Sequence, residues 1–129
     1  QIIFVDTPGI HKPNHKLGSF LNKQAYYSIN DVDTILFLVD ANEELGSGDK
    51  FIIEKLREVN KPVFLILNKV DKVAKHTLFD IIDSYNKLYE FKEIIPLSAL
   101  KNDNVDELIK TLKKYLSSFL RILKRIYFQ

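Results

Sequence analysis

The sequence predicts an α/β fold of three layers, a mostly parallel sheet between helices on both faces. Short apolar runs alternate with amphipathic segments along the chain, the pattern of successive strand–helix–strand units. The runs over residues 34–39 and 63–67 are continuously apolar rather than alternating, as in strands covered on both faces. Polar tetrapeptides follow directly on two such runs, Asp6-Thr7-Pro8-Gly9 and Asn68-Lys69-Val70-Asp71. In open α/β sheets ligands sit outside the carboxyl ends of the strands, where both tetrapeptides fall.

Residues 2–5, Ile-Ile-Phe-Val, form the first predicted strand, and 6–16 a loop holding Pro8 and Pro13. Residues 17–29 suit an irregular helix. The second strand covers 34–39 and ends at Asp40. Gly46-Ser47-Gly48 breaks the chain before a helix over 49–60, and Pro62 opens the third strand, which runs into Asn68. Leu78, Ile81, Ile82, Tyr85, Leu88 and Tyr89 recur at helical spacing behind Thr77, which is expected to cap that helix. A fourth strand over 94–97 ends in Ser98-Ala99-Leu100. Asn104, with Glu107 three positions on, is close to a capping box. The helix it opens carries one apolar stripe through Leu108, Leu112, Leu116, Phe119, Leu123 and Tyr127, so a single helix of about 20 or more residues is predicted to continue to residue 127.

The chain has 129 residues and is 46% hydrophobic, enough for one globular domain with a sizeable core and too apolar for a disordered segment. Zero cysteines exclude a disulfide scaffold and a thiolate metal site, which fits a reducing cytosol. His11, His15 and His76 are too scattered to suggest zinc. No apolar segment approaches the roughly 18 residues needed to span a bilayer, and Gln1-Ile2-Ile3 lacks the basic start of a signal peptide. Opening in mid-strand without Met, the chain is expected to begin inside a domain. Its net charge of +2 is uneven: residues 1–100 carry 12 basic and 14 acidic residues, and residues 101–129 carry 7 and 3. From Lys110 onward there is no acid, which makes this end the electrostatic candidate for RNA or an anionic membrane surface, beside the ordinary reading of a solvated basic helix face.

Asp6-Thr7-Pro8-Gly9-Ile10-His11-Lys12-Pro13, then His15-Lys16-Leu17-Gly18, Val39-Asp40-Ala41, Asn68-Lys69-Val70-Asp71 and Ser98-Ala99-Leu100 together resemble the Era-type GTPases of the Ras-like superfamily, from Gln1 to about Leu116. The resemblance implies a Ras-like G domain over residues 1–116 that binds GTP and GDP with Mg²⁺. Residues 117–129 do not look like the family's linker and form a divergent basic amphipathic tail extending the last helix. By the same resemblance the first two strands and the phosphate loop are absent from this chain, as is the KH domain through which the family contacts small-subunit ribosomal RNA and the 30S subunit. No GxxxxGK[ST] stretch occurs, since none of Gly9, Gly18, Gly46 and Gly48 is followed by Lys. Without that loop there is no cradle of backbone N–H groups for the α- and β-phosphates.

The resemblance also implies roles. Guanine presents N1–H and a 2-amino group side by side, so one carboxylate accepts both bonds; that would be Asp71. Asn68 would act on the N7 edge and tie neighbouring loops, the Lys69 stem would lie along the base plane, and Ala99 would offer its N–H to O6 with Ser98 shaping the turn. Asp6 would hold Mg²⁺ through a water, and Thr7, Pro8 and Gly9 would line the γ-phosphate. Ile10 stands where Ras-like enzymes place the glutamine that orients water, so the sequence names no catalytic residue, and His11 is read as an inert loop histidine.

In the Ras-like strand order the absent first strand lies between the strands ending at Asp6 and Asp40. Its absence leaves a gap at the middle of the sheet with two apolar edges open to self-association. The expectation is therefore a weakly binding, catalytically incomplete GTPase piece, cytoplasmic or peripheral at the inner face of the membrane. The alternative is a non-enzymatic interaction module using its basic C-terminal helix to contact RNA, membrane or a second copy.

Overall fold

The structure, a computed structural model, describes residues 2–6, 32–117 and 124–128. Its elements are β1 (Ile2–Asp6), β2 (Thr34–Asp40), α1 (Ser47–Arg57), β3 (Val63–Asn68), a 3-10 turn (Val70–Lys72), α2 (Lys75–Asn86), β4 (Glu93–Pro96), α3 (Val105–Ser117) and β5 (Lys124–Phe128). The sheet order is β1-β5-β2-β3-β4, and every neighbouring pair is parallel. The expected irregular helix over 17–29 lies outside the described residues.

β2 and β3 are continuously apolar because each buries both faces. Ile35, Phe37, Val63, Leu65 and Leu67 pack with Ile52, Ile53 and Leu56 of α1 and Tyr85 of α2. The intervening residues Leu36, Phe64 and Ile66 point the other way and meet Leu112 and Leu116 of α3. Side chains alternate faces along a strand, so two helical layers are served by one apolar run. The predicted three-layer, partial Ras-like architecture is present.

Three local expectations are corrected. Thr77 does not cap α2: the helix starts at Lys75 behind an extended Ala74 and has no side-chain cap, so Thr77 lies inside it. Asn104 does not open α3 in a capping box, because its backbone is left-handed (φ 63°) and its side-chain Nδ2 donates to Pro96 O (2.7 Å). The last helix does not continue to residue 127. α3 covers Val105–Ser117, and residues 124–128 form a strand.

That strand occupies the place expected to be a gap. β5 pairs with β1 along its whole length, from Ile2↔Lys124 to Asp6↔Phe128. On the other side it pairs with the first three residues of β2, Thr34↔Ile126, Ile35↔Tyr127 and Leu36↔Phe128. One strand in this slot pairs with the whole edge of β1 and the start of the β2 edge at once, which a free helix could not do. Ile126, Tyr127 and Phe128 are moreover strong strand formers. The edge of β1 and the first three residues of the β2 edge, on which self-association was expected, are therefore paired within the chain, and residues 124–128 form a strand rather than the amphipathic helix expected to meet RNA, membrane or a second copy. No helix of the described residues is long and apolar enough to cross a membrane.

Candidate nucleotide site

Parallel register brings the ends of β2, β3 and β4 to one edge of the sheet. Asp40 stands opposite Asn68, and Leu67 opposite Pro96. Three backbone hydrogen bonds stitch the turns beyond these ends: Ala41 N to Asn68 O (2.8 Å), Leu97 N to Leu67 O (2.8 Å) and Val70 N to Leu97 O (3.2 Å). Asn68, Lys69, Asp71, Ser98 and Ala99, far apart in sequence, are thereby gathered into one surface.

Their side chains interlock. Asn68 Oδ1 accepts from the amide of Lys69 (2.8 Å) and, across the loops, from that of Ala99 (3.0 Å). The cross-loop tie expected of Asn68 is present, and it engages the Ala99 N–H that the family pattern assigned to guanine O6. Ser98 is fully buried; its Oγ donates to Asp71 Oδ1 (2.7 Å) and accepts from Lys101 N (3.2 Å). Its backbone is paired in both directions with Asp103 (3.0 and 2.9 Å). A buried hydroxyl thus orients the exposed Asp71 carboxylate while leaving Oδ2 and a second lone pair on Oδ1 for a ligand.

Asp40 joins this group through Lys69, whose Nζ lies 2.6 Å from Asp40 Oδ2. The Lys69 hydrogen bond, then the Asn42 amide, hold the Asp40 carboxyl below its ordinary 3.8. The hydrogen bond to Asp40 in turn holds the Lys69 ammonium above its ordinary 10.5. In the sequence Asp40 stands as a strand end and within the Val39-Asp40-Ala41 string of the resemblance, with no role at the site. The signal that could have found it is the register: in parallel strands of similar length, the residue closing β2 falls beside the one closing β3.

The phosphate side is less complete. Asp6 ends β1 at the same carboxyl edge of the sheet, while Thr7, Pro8, Gly9 and His11 lie outside the described residues. Among the described residues no group of three or more His, Cys, Asp or Glu could hold a metal ion. A cavity of about 300 Å³ opens nearby between the β2–α1 loop and α2, but none of Asn68, Lys69, Asp71, Ser98 or Ala99 lines it. The base-side residues form an open surface.

This arrangement can do one piece of chemistry well. A carboxylate held at one oxygen by Ser98, with acceptor capacity left free, matches two adjacent N–H donors on a planar ring edge.

Known proteins share the arrangement's framework. Residues 1–118 match the model of the elongation factor Tu GTP-binding domain family. A structure of Era in complex with MgGDPNP and nucleotides 1506–1542 of 16S ribosomal RNA is 40% identical, with a TM-score of 0.76 over 84% of this chain and 38% of that one. Aquifex aeolicus Era bound to GDP·AlF4⁻ is also 40% identical, with a TM-score of 0.75 over 85% of this chain and 38% of that one. Elongation factor SelB from Methanococcus maripaludis, in complex with the GTP analogue GppNHp, shares the fold at 22% identity and a TM-score of 0.68, over 86% of this chain and 25% of that one. The chain spans well under half the length of these proteins.

Proposed function

The chain belongs to the elongation factor Tu-type GTP-binding domain family as an Era-like G domain, and from that premise we propose that it binds guanine nucleotide, with Asp71 reading the base. The observation that carries this reading is the pair of cross-loop hydrogen bonds, Ser98 to Asp71 and Ala99 to Asn68, which set a carboxylate and a neighbouring amide in fixed relation at the ends of β3 and β4. Guanine N1–H and its 2-amino group would both donate to Asp71. Adenine lacks that amino group and carries an acceptor at N1, so it would leave the carboxylate facing a lone pair. Asn68 would face the N7 edge, Lys69 would flank the ring, and Ala99 would reach O6 by exchanging its bond to Asn68. Asp6, Thr7, Pro8 and Gly9 would serve the γ-phosphate and, through Asp6, a hydrated Mg²⁺.

In a longer protein of the Era type the same site would switch a contact with small-subunit ribosomal RNA during 30S assembly in the cytoplasm, a role supported by the Era–RNA complex. For this chain the proposal is narrower: guanine recognition with little phosphate grip and no hydrolysis of its own. Phosphoryl transfer needs fixed positive charge on the developing transition state, and no GxxxxGK[ST] lysine is in the sequence.

Calorimetry with GDP tests affinity. A dissociation constant weaker than about 100 μM is expected, equivalent to less than roughly 5.5 kcal/mol, and a sub-micromolar value refutes it. Asp71→Asn should abolish preference for guanosine over xanthosine diphosphate, because the amide donates where guanine also donates; an unchanged preference in competition shows that the base is read elsewhere. Mg²⁺-dependent phosphate release that disappears in Asp6→Ala would overturn the claim of no hydrolysis.

A further inference from the structure

Among the described residues three non-glycine positions have left-handed backbone: Asn102, Asn104 and Lys69. Asparagine tolerates this region, whereas a lysine there is held by its surroundings. Lys69, at φ 64°, is fixed at its backbone by the bond from its amide to Asn68 Oδ1. Its side chain turns back across the end of β3 to β2, where the ammonium meets Asp40 Oδ2 at 2.6 Å.

Asp40 divides its two oxygens between two tasks. Oδ1 accepts from the Asn42 amide (2.8 Å) and closes the turn after β2; Oδ2 is engaged by Lys69. The turn therefore needs only one oxygen and no charge, and the charge is spent on the lysine. Asp40 itself is placed by the ladder, in register with Asn68, so its distance from the base-reading turn is set by β2–β3 pairing rather than by a loop. Among the described residues, the other charges acting on this pair are Lys72 and Glu43.

We propose that Asp40 is a positioning residue for guanine recognition: by clamping the Lys69 ammonium it holds the lysine stem as a rigid bar across the ends of β2 and β3, ready to flank the purine ring before nucleotide arrives. The proposal rests on the guanine-binding reading above. A lysine free in solution samples many rotamers and loses them when a ligand orders it. With Asp40 in place that ordering precedes binding, the general advantage of preorganisation.

The test uses the full 129-residue chain with Asp40→Asn, Lys69→Met and both together. Asp40→Asn keeps an oxygen for the Asn42 amide and removes the charge facing Lys69. In the nucleotide-free chain, lysine-ammonium NMR should show Lys69 ordered in the parent and mobile in Asp40→Asn. For GDP, Asp40→Asn should raise the dissociation constant about two- to fivefold at low salt, the range of an exposed ion pair. In the Lys69→Met background the same substitution should change nothing. The proposal is overturned if Lys69 stays equally ordered in Asp40→Asn, or if the loss of affinity is the same in the Lys69→Met background, which would make Asp40 a turn residue only. A parent that binds no GDP defeats the guanine-binding reading instead, while the ammonium signal still decides whether Asp40 holds Lys69.

Discussion

Ser98→Ala removes one buried hydroxyl and little else, because the Ser98 backbone stays bonded to Asp103 in both directions. Two bonds are lost: the donation to Asp71 Oδ1 at 2.7 Å and the acceptance from Lys101 N at 3.2 Å. A hydrogen bond to a charged group contributes roughly 1.5–3 kcal/mol. Asp71 is exposed and regains water, which places its share near about 1 kcal/mol, and the longer bond to Lys101 adds about 0.5 kcal/mol. The expected destabilisation is therefore about 1–2 kcal/mol, or a fall in Tm of about 4–8 °C for a domain of this size. Urea and thermal unfolding of Ser98→Ala, Asp71→Ala and the double variant measure it. The double variant should be more stable than the sum of the singles predicts, by about 1 kcal/mol, since the shared bond can be lost only once. A Ser98→Ala chain within about 0.5 kcal/mol of the parent, the spread of ordinary surface changes, or strict additivity, would refute the idea that the buried serine holds Asp71.

Asp40 is held below 3.8 and Lys69 above 10.5. A carboxyl lowered by folding stabilises fully above its unfolded value and ceases to as pH falls through the folded one, and a raised ammonium stabilises fully below its unfolded value and ceases to as pH rises through the folded one. The Tm difference between parent and Asp40→Asn should thus be constant at neutral pH and vanish well below 3.8; a difference that survives in acid points away from the charge pair. Leu112→Ala, at a fully buried position of α3, should cost about 2–5 kcal/mol in urea unfolding, and a cost under about 1 kcal/mol would show that α3 does not pack on the sheet. Ile126→Pro deletes an N–H in the middle of β5 and should expel that strand. Sedimentation should then show a monomeric parent and a self-associating variant, and identical monomers would count against β5 closing the sheet.

The middle of the fold was legible because its signals are strong and local. β2 and β3 announce themselves as uninterrupted apolar runs, and the residues after them carry the polar groups that the structure then joins. What could not be read was pairing at a distance. The bond between Lys69 and Asp40 spans 29 positions and follows from strand register, which a motif search does not encode. The tail failed for a different reason: Phe119, Leu123 and Tyr127 continue the phase of α3, so periodicity favours a helix, whereas the choice is made by two open strand edges elsewhere in the molecule. Both the gap and the apolar tail were visible in the sequence, and the structure supplies the link between them. At Thr77 and Asn104, cap chemistry was assigned from residue type alone, while the backbone geometry at Ala74 and the reach of Asn104 to Pro96 decided otherwise.

The position of β5 also gives the sheet a history. Ile2 must wait for Lys124 and Thr34 for Ile126, so the central ladder joins residues more than ninety positions apart and is among the most non-local contacts the chain can make. Such pairings slow folding, because the entropy of closing the intervening chain is lost before any bond is gained. On a ribosome adding about 5–20 residues per second, β2 is complete roughly 4–18 s before β5 has been made. During that interval β2 and β3, with α1 and α2, can assemble on their own, whereas β1 has no neighbour among the described strands. The domain should therefore mature in two steps, an early half-sheet and a late closure. The late step makes β1 a latecomer in folding, although it is made before every other described strand.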